Sequence, residues 1–443
     1  MSIMLNRFFN SYLWVGIIIY CLLIVTIGDT FTWTSFVGFL ALLISGSCLI
    51  YFSNREDDFF RSIKLAEIVF VYSVIFVSLF YLVSDYYDND LYLFNKNDAV
   101  VYEKLSKDMA STTLEKSILL LKATYKSFDD WGAPYVMSTV LRIYPSKLFL
   151  NLFYICLGTF GALYLYGMGK FLMSNKMAFM ASFAYSTSSF ALYFHGTFLK
   201  ESIFLFLVIG AFYHFYKFIE HTSLYHIIIT IIFSLSILFF RPAVSMFFWI
   251  GVTTYFLTDK NNKIITTTAL FILLLSLVLG AATVVQVFDK YTMGGDLESL
   301  LDTKQVVISK QFDYVINWIA AFIGPFPTLL SISKHSIVLY GSGLYMKMIL
   351  FLPFFLGVIY IIRYKIRELY PMVFFCLIEI VSLAMILQAF ELRKGLPHYP
   401  GLFIIAFWYI DVIDEETILF KKLVPIWLSI VVVVVLGWNI LRA

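Results

Sequence analysis

Apolar runs close to twenty residues long recur from end to end of this 443-residue chain, and each can cross a hydrocarbon core of about 30 Å as a helix. Composition agrees. The chain is 61% hydrophobic and 14% charged, with a mean hydropathy of +0.86, where soluble proteins carry about 25% charged residues. The expected fold is all-α: a polytopic integral membrane protein forming a single membrane domain over residues 1–443. The first run, Tyr12 to Ile27, has only Arg7 as a basic flank and no small-residue cleavage site, so it reads as a retained helix rather than a signal peptide. All four cysteines lie inside apolar runs, and no CxxC or Cys/His spacing supports a disulfide framework or a structural zinc site. The net charge of +3 is too small to specify a partner, and no nucleic acid is expected among the partners.

Charge placement sets an expected topology. The short loops Arg55–Lys64, Lys170–Lys176, Lys217–His226, Asp259–Lys263, Arg363–Arg367 and Asp414–Lys422 all carry Lys or Arg, which places them in the cytoplasm. Spans at 12–27, 31–51, 65–84, 148–169, 177–194, 202–217, 225–240, 243–258 and 264–287 then alternate consistently. Further spans follow at 344–362, 370–390, 399–413 and 423–440, for an expected total of about 13. Segment 313–332 is left out because Pro325 and Pro327 break its helix, and it reads as a re-entrant or interfacial hairpin. The N-terminus is expected inside and the C-terminus outside.

Two long segments fall on the outer face. The loop 86–147, about sixty residues, is too rich in aromatic and aliphatic residues for a disordered linker, and loops of this length are usually functional. It is expected to carry juxtamembrane helices and the catalytic chemistry. A second outer segment, 288–343, contains Gly294-Gly295, too weak a signal for a phosphate loop.

Within the first loop, Asp98 opens an amphipathic stretch in which Val101, Leu105 and Met109 share a helical face. Asn97 or Asp98 can cap that helix; alternatively Asp98 is a general base held ionised at a helix N-terminus. Asp129-Asp130-Trp131-Gly132-Ala133-Pro134 reads as a turn. Asp129 suits a solvated turn, whereas Asp130 beside Trp131 suits contact with a sugar ring. Further along, His195 and the pair Lys200-Glu201 sit between two spans, and Arg241-Pro242 places a lone cation between apolar runs. Glu201 can simply stabilise its helix, and Lys200 can snorkel, yet ionisable groups at membrane depth also mark functional sites. The last cluster, Glu391 to Pro400, puts Arg393, Lys394 and His398 at an outer span end, against the usual charge bias. An anionic ligand accounts for that placement, with Arg gripping a phosphate bidentately and Lys acting as a point charge. No G-x-S-x-G, HExxH, Walker or dinucleotide-binding pattern occurs.

Taken in order, these landmarks resemble the GT-C superfamily of membrane glycosyltransferases, which use polyprenyl-phosphate-linked sugars. The resemblance rests on Asp98 and Tyr102 early in the first large loop, Gly132-Ala133-Pro134 before the next span, Lys200-Glu201 with its Leu/Phe-rich continuation, and Arg393, Pro397 and Pro400 late in the chain. It covers most of residues 90–220 and 388–412. Asn97 stands where relatives often carry a second acid, and two extra spans precede the large loop, which brings the chain nearer to Wzy-type polysaccharide polymerases. The resemblance implies an inverting transfer to a glycan, lipid or protein acceptor. Asp98 would be the base, with Asp130 and Glu201 as further catalytic carboxylates, and Lys200, Arg241, Arg393 and Lys394 would hold the lipid (pyro)phosphate. Tyr102, Trp131, His195 and His398 would contact substrate, and a divalent cation is left open as cofactor. The expected location is a bacterial inner membrane with the site outside.

A repeat-unit polymerase or ligase is the alternative. A lipid-linked-sugar transporter is a third class, which calls for mid-span ionisable residues and internal symmetry. His214 and Glu379 are the mid-span candidates, and no internal repeat is visible.

Overall fold

The apolar runs fold as helices, because only an internally hydrogen-bonded backbone is stable where water is scarce. The computed structural model describes residues 2–28, 31–125, 128–258, 310–385, 389–413 and 418–442, and among these there is helix and no strand. Among the described residues eight helices are long and apolar enough to cross a membrane, so the chain is a multi-pass membrane protein. They are α1 (Ser2–Ile27), α2 (Trp33–Ser53), α3 (Ser62–Asp88), α7 (Lys147–Leu172), α10 (Glu201–His221), α14 (His335–Tyr364), α15 (Tyr370–Met385) and α18 (Ile418–Arg442). Two shorter apolar helices, α11 (Leu224–Ile237) and α12 (Pro242–Leu257), form a hairpin beside α10.

The difference from about 13 expected spans has identifiable causes. The run at 177–194 is broken at Thr187-Ser188 into α8 (Asn175–Ser186) and α9 (Ser189–Gly196), and every residue of both except Asn175 is buried. The break is chemically satisfied: Thr187 Oγ1 donates to Phe183 O at 2.7 Å, and Ser189 Oγ accepts from Gly343 N at 2.7 Å. The run at 399–413 becomes α17 (Tyr399–Val412), 14 residues long and buried from Tyr399 to Ile410. A helix apolar on all sides suits a protein core or a membrane interior alike, and α17 is enclosed by protein, packed between α8 and α14. The expected span at 264–287 and the 288–309 part of the second outer segment lie outside the described residues.

Segment 313–332 likewise departs from a simple span. Helix α13 (Lys310–Ile323) is followed by non-helical chain through the cis Gly324–Pro325 bond. Its backbone is satisfied from within the bundle. Asn439 of α18 accepts from Leu329 N at 2.7 Å and donates to Pro327 O at 2.9 Å, while Lys347 of α14 donates to Gly324 O. Non-helical chain buried in protein at this level needs such partners.

Between α3 and α7 the chain forms three short helices, α4 (Lys96–Ala110), α5 (Leu114–Thr124) and α6 (Gly132–Ile143). Leu105, Met109 and Leu121 make a small apolar core between α4 and α5, sealed by Tyr125 and Trp131. Arg142 clips the α4–α5 corner by donating to Met109 O at 2.9 Å and Thr112 O at 3.1 Å. Val101 is exposed, so it stays off the buried face on which Leu105 and Met109 lie.

Candidate functional site

Helix starts and strap ends deliver the charged groups. Helix α4 begins at Lys96 with Asn95 in the cap position, so the expected cap at Asn97 or Asp98 is displaced. Asp98 sits instead in the first turn, where its carboxylate is favoured by the helix dipole. Its side chain reaches out of the helix to Arg393 Nη1 at 2.5 Å. Arg393 comes from the one-turn helix α16 (Leu392–Gly395) just ahead of α17. Both partners are solvent-accessible, at 46% for Asp98 and 39% for Arg393, so a ligand can reach the pair.

A second pair lies deeper. Glu201 opens α10 and is 1% exposed, and its Oε1 lies 3.2 Å from Arg241 Nη2. Arg241 precedes α12, where Pro242 occupies a helix-start position that needs no N–H. The guanidinium also donates to Lys394 O at 3.4 Å and lies 5.3 Å from the centre of the Phe204 ring. The second carboxylate oxygen of Glu201 has no hydrogen-bond partner. Burial works against the charge of Arg393, but Glu201 and Asp98 outweigh it and hold its guanidinium above its ordinary pKa. The two ion pairs therefore share one electrostatic neighbourhood.

A third pair closes the group. Lys200, in the cap position of α10, places Nζ 2.5 Å from Asp130 Oδ1 and 3.1 Å from Phe240 O. Tyr102 Oη donates to the same Asp130 oxygen at 3.3 Å. Burial, then Asp130 and Glu201, push the Tyr102 phenol far above its ordinary pKa, so it remains a hydrogen-bond donor. Gly132 makes this approach possible. Its N–H donates to Phe239 O at 3.0 Å, and a Cβ there would meet the Phe240 ring at 2.5 Å.

Asp98, Tyr102, Asp130, Lys200, Glu201, Arg241, Arg393 and the Lys394 backbone thus gather from α4, the α5–α6 turn, the α9–α10 corner, the α11–α12 corner and α16. Three residues singled out from the sequence take other positions. His195 bonds Ser202 Oγ at 3.0 Å and fills the space over Gly158, where a Cβ would meet its ring at 2.2 Å. Trp131 turns its ring toward the α4–α5 core, with Nε1 buried and unpartnered. His398 is buried beneath the α16 strap. The Asp129 side chain lies outside the described residues.

Two residues beside this group did not stand out in the sequence. Tyr125, at the end of α5, buries an unpartnered hydroxyl, and its phenol is pushed up by burial and then by Asp130 and Asp98. Lys347 lies inside the apolar run of α14, where a lone cation was a visible signal. Among the described residues no three His, Cys, Asp or Glu side chains gather as metal ligands.

Glu103 anchors the scaffold of α4. It lies 2.6 Å from Lys107 Nζ and 3.0 Å from Lys147 Nζ, and accepts from Tyr92 Oη at 2.8 Å, which ties α4 to the start of α7. Burial raises its carboxyl pKa, but bonds from Lys107, Lys147 and Tyr92 win and hold it below the ordinary range. A depressed folded-state pKa gives stability that is full above the unfolded value of about 4.3 and lost as pH falls through the folded value. Acidification below about pH 4 is therefore expected to loosen α4, read as faster amide exchange over residues 96–110. Glu103→Gln should blunt that acid response; an unchanged response would assign it elsewhere.

No protein-family model matches this chain, and no curated protein sequence matches it.

Proposed function

We propose that the protein is a membrane glycosyltransferase that moves a sugar or oligosaccharide from a polyprenyl-(pyro)phosphate donor to an acceptor hydroxyl, with inversion, on the outer face of a bacterial inner membrane. The observation that carries this function is the convergence of Asp98–Arg393, Glu201–Arg241 and Asp130–Lys200 from distant parts of the chain. Acids and cations gathered at helix ends suit a reaction that removes a proton and creates phosphate charge.

Asp98 takes the acceptor's hydroxyl proton, the acceptor oxygen bonds to the anomeric carbon, and the bond from that carbon to the phosphate oxygen breaks. The electron pair leaves with the phosphate. Arg393, Arg241 and Lys200 stabilise this departing charge, the kind of term that is usually largest in catalysis. Asp98 is neutralised by Arg393 at rest. A donor phosphate that draws Arg393 away frees the carboxylate to act as base, so donor binding precedes deprotonation. Buried Glu201 holds Arg241 in place, Asp130 holds Lys200, and Tyr102 borders the acceptor side. A polymerase or ligase of lipid-linked repeat units uses the same groups with a second lipid-linked glycan as acceptor, and product length separates the two.

Arg393→Ala is expected to weaken binding of a polyprenyl phosphate about tenfold to a hundredfold, since hydrogen bonds to charged groups are worth about 1.5–3 kcal/mol. Arg393→Lys should restore only part of that, because an ammonium cannot make a bidentate contact. Equal affinity of all three proteins would remove Arg393 from the donor site. Sidedness is tested separately in a cysteine-free background. Lys122→Cys in α5 should react with an impermeant thiol reagent added outside whole cells, and Arg363→Cys at the end of α14 should not. Reaction of both would overturn the outer placement.

A further inference from the structure

Beneath the α16 strap lies a set of buried polar groups that none of the steps above uses. Lys347 is 1% exposed and sits about twelve residues into α14, about 18 Å along it at 1.5 Å per residue. Its ammonium donates to Gly324 O and lies 4.7 Å from the centre of the Tyr399 ring. His398 and Tyr399 are 1% and 0% exposed, yet both imidazole nitrogens and the phenol oxygen have no hydrogen-bond partner. Buried polar groups are nearly always satisfied, so an unsatisfied set of this size calls for an occupant. Gly395 forms the wall shared with the strap: a Cβ there would lie 3.4 Å from His398 Cε1 and 3.5 Å from Tyr399 Oη. Gly395 directly follows Arg393 and Lys394.

We propose that Lys347, His398 and Tyr399 form a second anion subsite under the Arg393 strap, and that it takes the distal phosphate of a pyrophosphate-linked lipid. This rests on the donor reading above and narrows the donor to the pyrophosphate class. The chemistry of the set decides for an anion. An ammonium, an imidazole N–H and a phenol O–H are all donors, and a protonated Lys347 repels a cation. Glu379 also borders the set, 2% exposed with Oε2 unpartnered and within electrostatic reach of Tyr399 and Arg241. An anion beside it requires Glu379 to keep its proton and act as one more donor. Glu379→Gln, which also donates, must therefore retain the preference for pyrophosphate.

The test is thermal stabilisation of the full chain in detergent, titrated with polyprenyl monophosphate, polyprenyl pyrophosphate of the same length, or inorganic pyrophosphate. Wild type is expected to bind the pyrophosphate lipid about tenfold to a hundredfold more tightly than the monophosphate lipid. Lys347→Met should erase the difference while leaving monophosphate binding intact, and methionine suits a membrane interior. Tyr399→Phe, which removes only the hydroxyl, should reduce the difference. Inorganic pyrophosphate matching the lipid would support the subsite and make its ligand the free anion; no response to it would assign the lipid. Equal binding of the two lipids by wild type, or a difference that persists in Lys347→Met, would overturn the subsite and leave the donor reading standing. Binding of neither lipid would overturn both.

Discussion

Asp98→Asn is expected to lower sugar transfer about 10²–10⁴-fold, the usual contribution of a positioned general base. The substitution is nearly isosteric and leaves α4 its first-turn geometry, with the Asn95 cap position untouched. Stability should hardly change, because the Asp98–Arg393 pair is 46% and 39% exposed, and accessible pairs contribute little. The measurement is transfer from a native lipid donor, with the melting temperature taken on the same preparation. Near-native activity would move the base to Asp130 or Glu201. Loss of activity together with a large fall in melting temperature would instead make Asp98 structural.

The second large effect concerns the buried pair. Arg241→Met is expected to destabilise the protein by about 3–5 kcal/mol, because it strands the Glu201 carboxylate, 1% exposed, without its cation. The double variant Glu201→Gln/Arg241→Met should regain much of that loss, since removing both charges leaves no uncompensated ion. Losses that simply add would show that the two residues act independently. Activity should stay low in the double variant even where stability returns, because Arg241 has left the phosphate site. That separation of stability from activity distinguishes a working cation from a structural one.

Much of the architecture was legible from periodicity and run length. Eight of the expected spans, from 12–27 to 423–440, correspond to long apolar helices, because a twenty-residue apolar run leaves the chain few choices. The loop between α3 and α7 was readable as helical from the spacing of Leu105 and Met109. Hydropathy could not tell a spanning helix from a buried one. The run at 399–413 is as apolar as the spanning helices, yet it forms the enclosed α17, and the run at 177–194 forms the broken α8–α9. Lipid and protein interior are equally apolar to a single sequence, and only packing against α14 decides between them.

The charged residues divide along the same line. Their chemical types and their positions at helix ends were determined by the sequence, because short-range rules govern caps, dipoles and turns. Their pairing was decided by the tertiary structure: Asp98 meets Arg393 across 295 positions, and Arg241 meets Glu201 across 40. Such contacts depend on which helices adjoin, and no local pattern encodes that. Lys347 marks the boundary most clearly. The sequence places a lone cation in an apolar run, and only the fold sets His398, Tyr399 and the Gly324 carbonyl around it.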